Sequence, residues 1–129
     1  MSKHERVEAV NQIIQAIGQR GRWFFTDGQG NYARFVLVGD KRKFLHFLNA
    51  DGSYVNPYDI RKDRHFMHGG TLWALVQDFK DYILTGSHTN GKHGYGGLFA
   101  SGWGYSDREM EEIIKLAMEV GFLRQATTV

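Results

Sequence analysis

The sequence predicts an α+β protein with an N-terminal helix, a three- to four-stranded antiparallel β-meander and then two C-terminal helices. Apolar residues recur at helical spacing near both ends of the chain. Between them, short runs rich in aromatic and β-branched residues alternate with turn residues. A chain of 129 residues that is 42% hydrophobic can bury a full core. We therefore expect residues 1–129 to form a single domain.

The first helix is predicted from its capping signal and its periodicity. Ser2 and Glu5 stand three residues apart, as in a capping box. The apolar residues that follow at helical intervals are Val7, Val10, Ile13, Ile14 and Ile17. Gly18 is expected to end the helix.

Three runs of strand-forming residues predict the meander, at 22–26, 32–38 and 43–48. Glycine, aspartate and asparagine lie between and after these runs, which is typical of turns between strands. A fourth short strand is expected to begin at Tyr54 and to end before Pro57, which lacks a backbone donor.

Neither face of this sheet is cleanly polar. The side chains of the second run alternate between the faces, with Tyr32, Val36 and Val38 on one and Ala33, Phe35 and Leu37 on the other. An exposed face of this composition would be an unusually large apolar patch. We therefore expect both faces to be covered, either by helices or, on one side, by another protein chain.

Two further helices are predicted in the C-terminal half. In the segment 71–86, the apolar stripe consists of Leu72, Leu75, Val76, Phe79 and Ile83, and Gly86 stands where the helix should end. A second capping-box spacing, Ser106 with Glu109, precedes an apolar stripe of Met110, Ile113, Ile114, Ala117 and Val120 before Gly121.

Composition narrows the function classes. The net charge of +2 and the pI near 8.9 are too weakly basic to indicate a nucleic-acid-binding protein by themselves. The absence of cysteine excludes disulfides, thiolate nucleophiles and cysteine-rich zinc sites. The N-terminus has no apolar signal region and no stretch approaches the length of a membrane span. We expect a cytoplasmic protein in a bacterial host, without membrane partners.

The glycine-rich stretch 87–106 contains six glycines, two histidines and four aromatic residues. A connection of this length in a compact domain is usually functional or disordered, and this one has too many aromatics for a solvated linker. Tyr95, Trp103 and Tyr105, with Phe99 and Lys92, are candidates for a recognition surface for protein or single-stranded nucleic acid. The alternative is that Trp103 and Tyr105 pack onto the sheet.

A basic segment precedes the second predicted helix. Backbone N–H groups at a helix start attract anions, so a phosphate or nucleic-acid backbone is a candidate ligand there. The candidate residues are Arg61, Lys62, Arg64, His68, Gly69, Gly70 and Thr71. The favoured alternative is that the glycines and the threonine only turn and cap the chain. Smaller basic clusters lie at Arg20 with Arg22 and at 41–43.

A metal site is a weaker hypothesis. Histidine and aspartate side chains that folding could bring together are His65, His68, His88, His93, Asp59 and Asp63. Their spacing matches no named zinc motif, so we expect no metal and no other cofactor. His46 lies within an apolar strand and is interpreted as structural.

Several blocks of the chain resemble a set of small, functionally uncharacterised proteins encoded by proteobacterial phages and integrated mobile elements. The resemblance rests on Phe24 and Phe25, on ARF at 33–35, on GGTLWALVQDFKDYILTG at 69–86 and on WGY at 103–105. It carries over no catalytic residue. It implies an accessory factor that binds host or defence components, because small phage and plasmid proteins are often of this kind.

The leading hypothesis is a small non-enzymatic binding protein that acts through a protein interface. An anti-defence or host-modulating role and a homodimer are part of that hypothesis, and the partner is an unidentified host or defence protein. The first alternative is a nucleic-acid-binding module that uses the basic segment and the glycine-rich aromatic loop. The second alternative is a metal-dependent hydrolase built on His65, His68, His88 or His93. A hydrolase with its own nucleophile is less favoured, because the sequence contains no nucleophile motif.

Overall fold

The computed structural model describes residues 1–20, 25–57, 70–87, 90–93, 96–99 and 106–123. Its elements follow the predicted order. They are α1 (Lys3–Gln19), β1 (Arg34–Val38), β2 (Phe44–Leu48), β3 (Tyr54–Val55), α2 (Gly70–Thr85), a short 3₁₀ turn (Gly97–Phe99) and α3 (Asp107–Glu119). The α+β class, with three antiparallel strands between the N-terminal helix and two C-terminal helices, is confirmed.

Helix α1 begins with the predicted capping box. The Glu5 N–H donates to Ser2 Oγ at 3.1 Å, and the Ser2 N–H donates to Glu5 Oε1 at 2.9 Å. The predicted end was wrong, because the helix continues through Gly18 to Gln19. Gly18 is buried within the helix, where a Cβ atom would lie 2.7 Å from Cδ1 of Tyr32. The glycine therefore permits close packing rather than ending the helix.

The three strands form one antiparallel sheet in the order β1-β2-β3. Val38 pairs with Phe44 at one end of the sheet, and Leu48 pairs with both Arg34 and Tyr54 at the other. From the first predicted run, the described residues contribute an isolated bridge between Thr26 and Tyr32. The remainder of that run, 22–24, lies outside the described residues.

Strand β1 is an edge of this sheet, and α1 closes that edge with a side chain. Asn11 Nδ2 donates to the Phe35 carbonyl at 2.8 Å, and the Phe35 N–H donates to Asn11 Oδ1 at 2.8 Å. Just before β1 in the chain, the Ala33 N–H donates to the Phe25 carbonyl at 3.0 Å. A carboxamide thus replaces the neighbouring strand that the edge would otherwise bond.

The core lies between the inner face of the sheet and the helices. Helix α1 contacts β1, α2 and α3. The inner face contributes fully buried aromatic side chains, with the rings of Phe35 and Phe47 5.0 Å apart. At the other end of the core, Phe122 packs against Phe79 and Tyr82, each with ring centroids 5.1 Å apart.

The two C-terminal helices follow their predicted stripes. Ile113 and Ala117 of α3 are buried, and the Ser106 side chain accepts the Glu109 N–H at 3.3 Å at its N-terminus. Gly86 follows α2 with a φ of 76°. No helix among the described residues is long and apolar enough to cross a lipid bilayer.

Replacing Gly18 by alanine should destabilise the protein, although alanine is the better helix former. The new Cβ would lie 2.7 Å from the Tyr32 ring and 3.1 Å from the Phe25 carbonyl oxygen. Overpacking of this kind costs about 1–3 kcal/mol. Urea unfolding of the Gly18→Ala variant measures the loss, and combining it with Tyr32→Ala should make the two effects less than additive. An increase in stability in the single variant would contradict the close packing.

Replacing Asn11 by alanine should lower the free energy of unfolding by about 2 kcal/mol, because it leaves the Phe35 N–H and carbonyl without their partner. The matched control is Gln15→Ala, one turn further along α1 at an exposed position. Denaturant unfolding compares the two variants. Equal midpoints would show that the Asn11 bonds contribute nothing to holding β1 on α1.

Candidate functional site

Most of the side chains predicted to form a site lie outside the described residues. These are Arg61, Lys62, Arg64, His68, Gly69, Tyr95, Trp103 and Tyr105, together with His65, His88, Asp59 and Asp63 of the metal hypothesis. Gly70 and Thr71 form the first turn of α2 and are described for the backbone alone, a helix start that both the anion-binding hypothesis and the capping alternative require. The anion-binding and aromatic-loop hypotheses therefore stay predictions.

Part of the glycine-rich stretch is described, and it folds back onto α2. The Gly91 N–H donates to Asp78 Oδ2 at 2.8 Å, and His93 Nε2 lies 2.6 Å from Asp81 Oδ2. The Leu98 N–H donates to Asn90 Oδ1 at 2.8 Å, which connects the turn at 90–93 to the buried 3₁₀ turn. We call Asp78, Asp81 and the turn at 90–93 the loop clamp.

Burial makes Asp78 an unusual carboxylate. The residue has no exposed surface, and burial raises the pKa of its carboxyl group above the usual value. Hydrogen bonds from the backbone of Gly91 and His93 oppose this rise, while the neighbouring Asp81 carboxylate adds to it. Burial likewise lowers the pKa of Lys80, whose Nζ donates to Gln77 Oε1 at 2.6 Å. Polar side chains of α2 thus form hydrogen bonds to neighbouring segments of the chain.

The loop clamp does not provide a metal site. Among the described residues, no three histidine, aspartate or glutamate side chains are grouped so that they could hold an ion. The His93 ring packs edge-on against Trp73, with centroids 5.5 Å apart. His93 is therefore held by a carboxylate and an indole, a geometry that orients the imidazole against α2.

The outer face of the sheet carries three of the five exposed large apolar side chains among the described residues. We use this name for the side chains opposite the core, namely Arg34, Val36, Val38, Phe44, His46, Leu48 and Tyr54. Val38 is 43% exposed, Phe44 54% and Tyr54 53%, while Val36, His46 and Leu48 are half-buried. The ring centroids of His46 and Tyr54 are 4.7 Å apart. At the exposed positions no helix of the described chain covers the outer face, and the alternative that another protein chain covers it stays a prediction.

A basic turn borders the outer face. Lys41, Arg42 and Lys43, which we call the basic turn, are exposed between β1 and β2, next to the Val38 and Phe44 pair. Gly39 sets the shape of this turn with a φ of 117°, where a Cβ would meet the Arg42 carbonyl oxygen. Within the part of the chain that the structure describes, no carboxylate forms an ion pair with these three cations. By contrast, Arg20 bonds Glu112 at 2.7 Å.

A shallow groove lies between α1 and the residues at 30–34. Its volume is about 270 Å³, and its polar lining includes Asn11, Gln15, Asn31 and Arg34. Asn11 already bonds the backbone of Phe35 with both of its polar atoms. Asn31 Nδ2 donates to Asp27 Oδ2 at 2.7 Å, so two of these four side chains are already hydrogen-bonded within the protein.

Sequence reasoning missed the two carboxylates of α2 and the amide of α1. A signal existed for Asp78, because the residues one helical turn before and after it, Ala74, Leu75 and Tyr82, are apolar or aromatic. A charged residue in such a position usually has dedicated partners. No pattern marks Asn11, because its partner lies 24 residues away.

Replacing Asp78 by asparagine should change how stability depends on pH. A carboxyl group whose pKa is raised in the folded state stabilises the protein below its unfolded pKa, and this contribution is lost as the pH rises through the folded pKa. The unfolding free energy of Asp78→Asn relative to wild type should therefore increase between pH 4 and pH 8. Urea titrations across that range measure it, with Asp107→Asn, at an exposed position of α3, as the control. A difference that is constant with pH would contradict the buried charge.

Comparison with known proteins agrees with the phage resemblance. A 29% identical relative over 122 residues, covering 92% of this chain and 83% of its own, is the SPbeta prophage-derived uncharacterized protein YoqU of Bacillus subtilis (strain 168). The proteobacterial part of the expectation stays a prediction. No solved structure matches the chain. The model of the YoqU family matches residues 1–129, and the protein therefore belongs to the YoqU family.

Proposed function

We propose that this member of a phage-related family is a small non-enzymatic binding protein and that the outer face of the sheet is its binding surface. The observation that carries the proposal is the exposure of Val38, Phe44 and Tyr54 on one side of one sheet. Soluble proteins seldom leave contiguous apolar side chains open to water without a use for them. Aromatic side chains are also the most frequent anchors of binding energy at interfaces.

Two classes of partner suit such a face. A host or defence protein is the partner that a prophage-derived relative suggests, and an anti-defence or host-modulating role would follow from it. A second copy of the chain belongs to the same class. Single-stranded nucleic acid is the other class, and the basic turn beside Phe44 favours it.

Catalysis has less support among the described side chains. The His93 and Asp81 pair is the arrangement that most resembles part of a hydrolytic site. Asp78, which lies beside this pair, bonds the Gly91 backbone and is thereby committed to holding the turn. The pair itself lies against Trp73 on α2. This geometry supports an anchoring role more directly than a reaction.

The test is an affinity capture from lysate of the bacterial host with tagged protein, with and without nuclease. The Phe44→Ala/Tyr54→Ala double variant should lose the partner, because it removes both exposed rings of the outer face. Phe99→Ala is the matched control, since Phe99 is 58% exposed but lies in the 3₁₀ turn. Loss of the partner in the control but not in the double variant would move the binding surface to the glycine-rich stretch.

A further inference from the structure

We infer that the outer face binds single-stranded nucleic acid, with bases stacking on its aromatic rings and phosphates contacting the basic turn. The inference rests on the proposed function, because it names the ligand of the same surface. It draws on three features of the described residues: the placement of the rings, the placement of the cations, and the size of the face.

The aromatic side chains form a line across the face. Phe44 and His46 stand two residues apart on β2, about 6.6 Å along the strand. Tyr54 lies on β3 opposite Leu48, one further step in the same direction, and its ring contacts that of His46. Phe44 and Tyr54 are more than half exposed. Sheet-based nucleic-acid-binding domains use rings placed in this way to stack two or three bases.

Cations lie at both ends of this line. The basic turn is next to Phe44, and the exposed Arg34 lies at the opposite end of the face, in the pair row of Leu48 and Tyr54. The carboxylates of the sheet segment 34–55 are Asp40, in the same turn, and Asp51. Asp51 accepts hydrogen bonds from the Ser53 hydroxyl and N–H, so its charge is partly satisfied. A backbone that passes along the rings would therefore meet positive charge where it enters and where it leaves.

The size of the face favours a short polymer segment over a protein. Strands β1 and β2, of five residues each, are roughly 17 Å long, β3, of two residues, is roughly 7 Å long, and the strands are spaced at about 4.8 Å. The planar area is then on the order of 200 Å², whereas a stable protein interface buries about 800 Å² on each partner. Two or three nucleotides fit the smaller area. A second copy of the chain, stacked on this face alone, would fall well short of a stable dimer.

The inference is tested by titrating the protein into fluorescein-labelled dT12 and rU12 and measuring fluorescence anisotropy, with a 12-base-pair duplex for comparison. Binding of the single strands should weaken about 20-fold between 50 and 200 mM NaCl if three phosphates are contacted. Phe44→Ala and Tyr54→Ala should each weaken it about tenfold. The triple variant Lys41→Ala/Arg42→Ala/Lys43→Ala should weaken it and flatten its salt dependence.

The control lies away from the face. Lys3→Ala/Lys115→Ala removes exposed cations from α1 and α3 and should bind like wild type. Phe99→Ala is measured beside it, because Phe99 belongs to the glycine-rich stretch, and a loss in this variant without a loss in Phe44→Ala and Tyr54→Ala would move the site to that stretch. Urea unfolding should show that every variant is folded. Equal binding of duplex and single strand, or equal losses in the outer-face variants and the control, would overturn the inference.

The outcomes separate this inference from the proposed function. If neither oligonucleotide binds, while a nuclease-resistant host protein is captured and is lost with Phe44→Ala/Tyr54→Ala, the face is correct and the ligand class is wrong. If the oligonucleotides bind and none of the outer-face variants weakens them, both the inference and the choice of surface are wrong.

Discussion

The burial of α1 is the constraint on which the rest of the structure depends. The helix packs against β1, α2 and α3, and its buried residues lie between Val7 and Gly18. Two polar contacts set its position. Asn11 bonds the edge of the sheet, and Arg6 Nε donates to the Ile83 carbonyl at 2.9 Å near the C-terminal end of α2, where a positive charge is favourable. Helix α1 packs on the inner face, and Val38, Phe44 and Tyr54 on the opposite face are exposed.

The same helix protects the sheet from unspecific pairing. An exposed edge strand offers N–H and carbonyl groups to any other strand. On β1, the amide of Asn11 occupies those of Phe35, and the bridge between Thr26 and Tyr32 lies beside it in the chain. The amide therefore blocks strand pairing at this position of the β1 edge, while Val38, Phe44 and Tyr54 of the outer face are exposed.

The loop clamp shows how α2 orders a glycine-rich segment. Glycines lose more conformational entropy on folding than other residues, so such a segment needs anchors to adopt one conformation. Asp78 and Asp81 supply them through Gly91 and His93. The buried carboxylate costs desolvation energy, as the raised pKa of Asp78 indicates. In its described part, the long glycine-rich stretch is therefore held on the helix rather than extended into solvent.

Local signals in the sequence were sufficient for the elements of this fold. Capping at Ser2 and Ser106, apolar spacing and turn residues predicted the order of helices and strands, because each signal acts within a few residues. The alternation along β1 also predicted two apolar faces. The sequence did not predict which face of the sheet a helix would cover, since that depends on where a helix from another part of the chain packs.

Contacts between distant residues were decided by the tertiary structure alone. The sequence predicts that Gly18 ends a helix, and only the structure shows the Tyr32 ring packed against this glycine. In the sequence Asp78 is one charged residue of a helix, and only the structure shows the turn at 90–93 hydrogen-bonded to it. The basic turn and the aromatic rings became one candidate site only through strand register. The sequence by itself determined which segments form helices and strands, and packing between segments decided which side chains are buried and which are exposed.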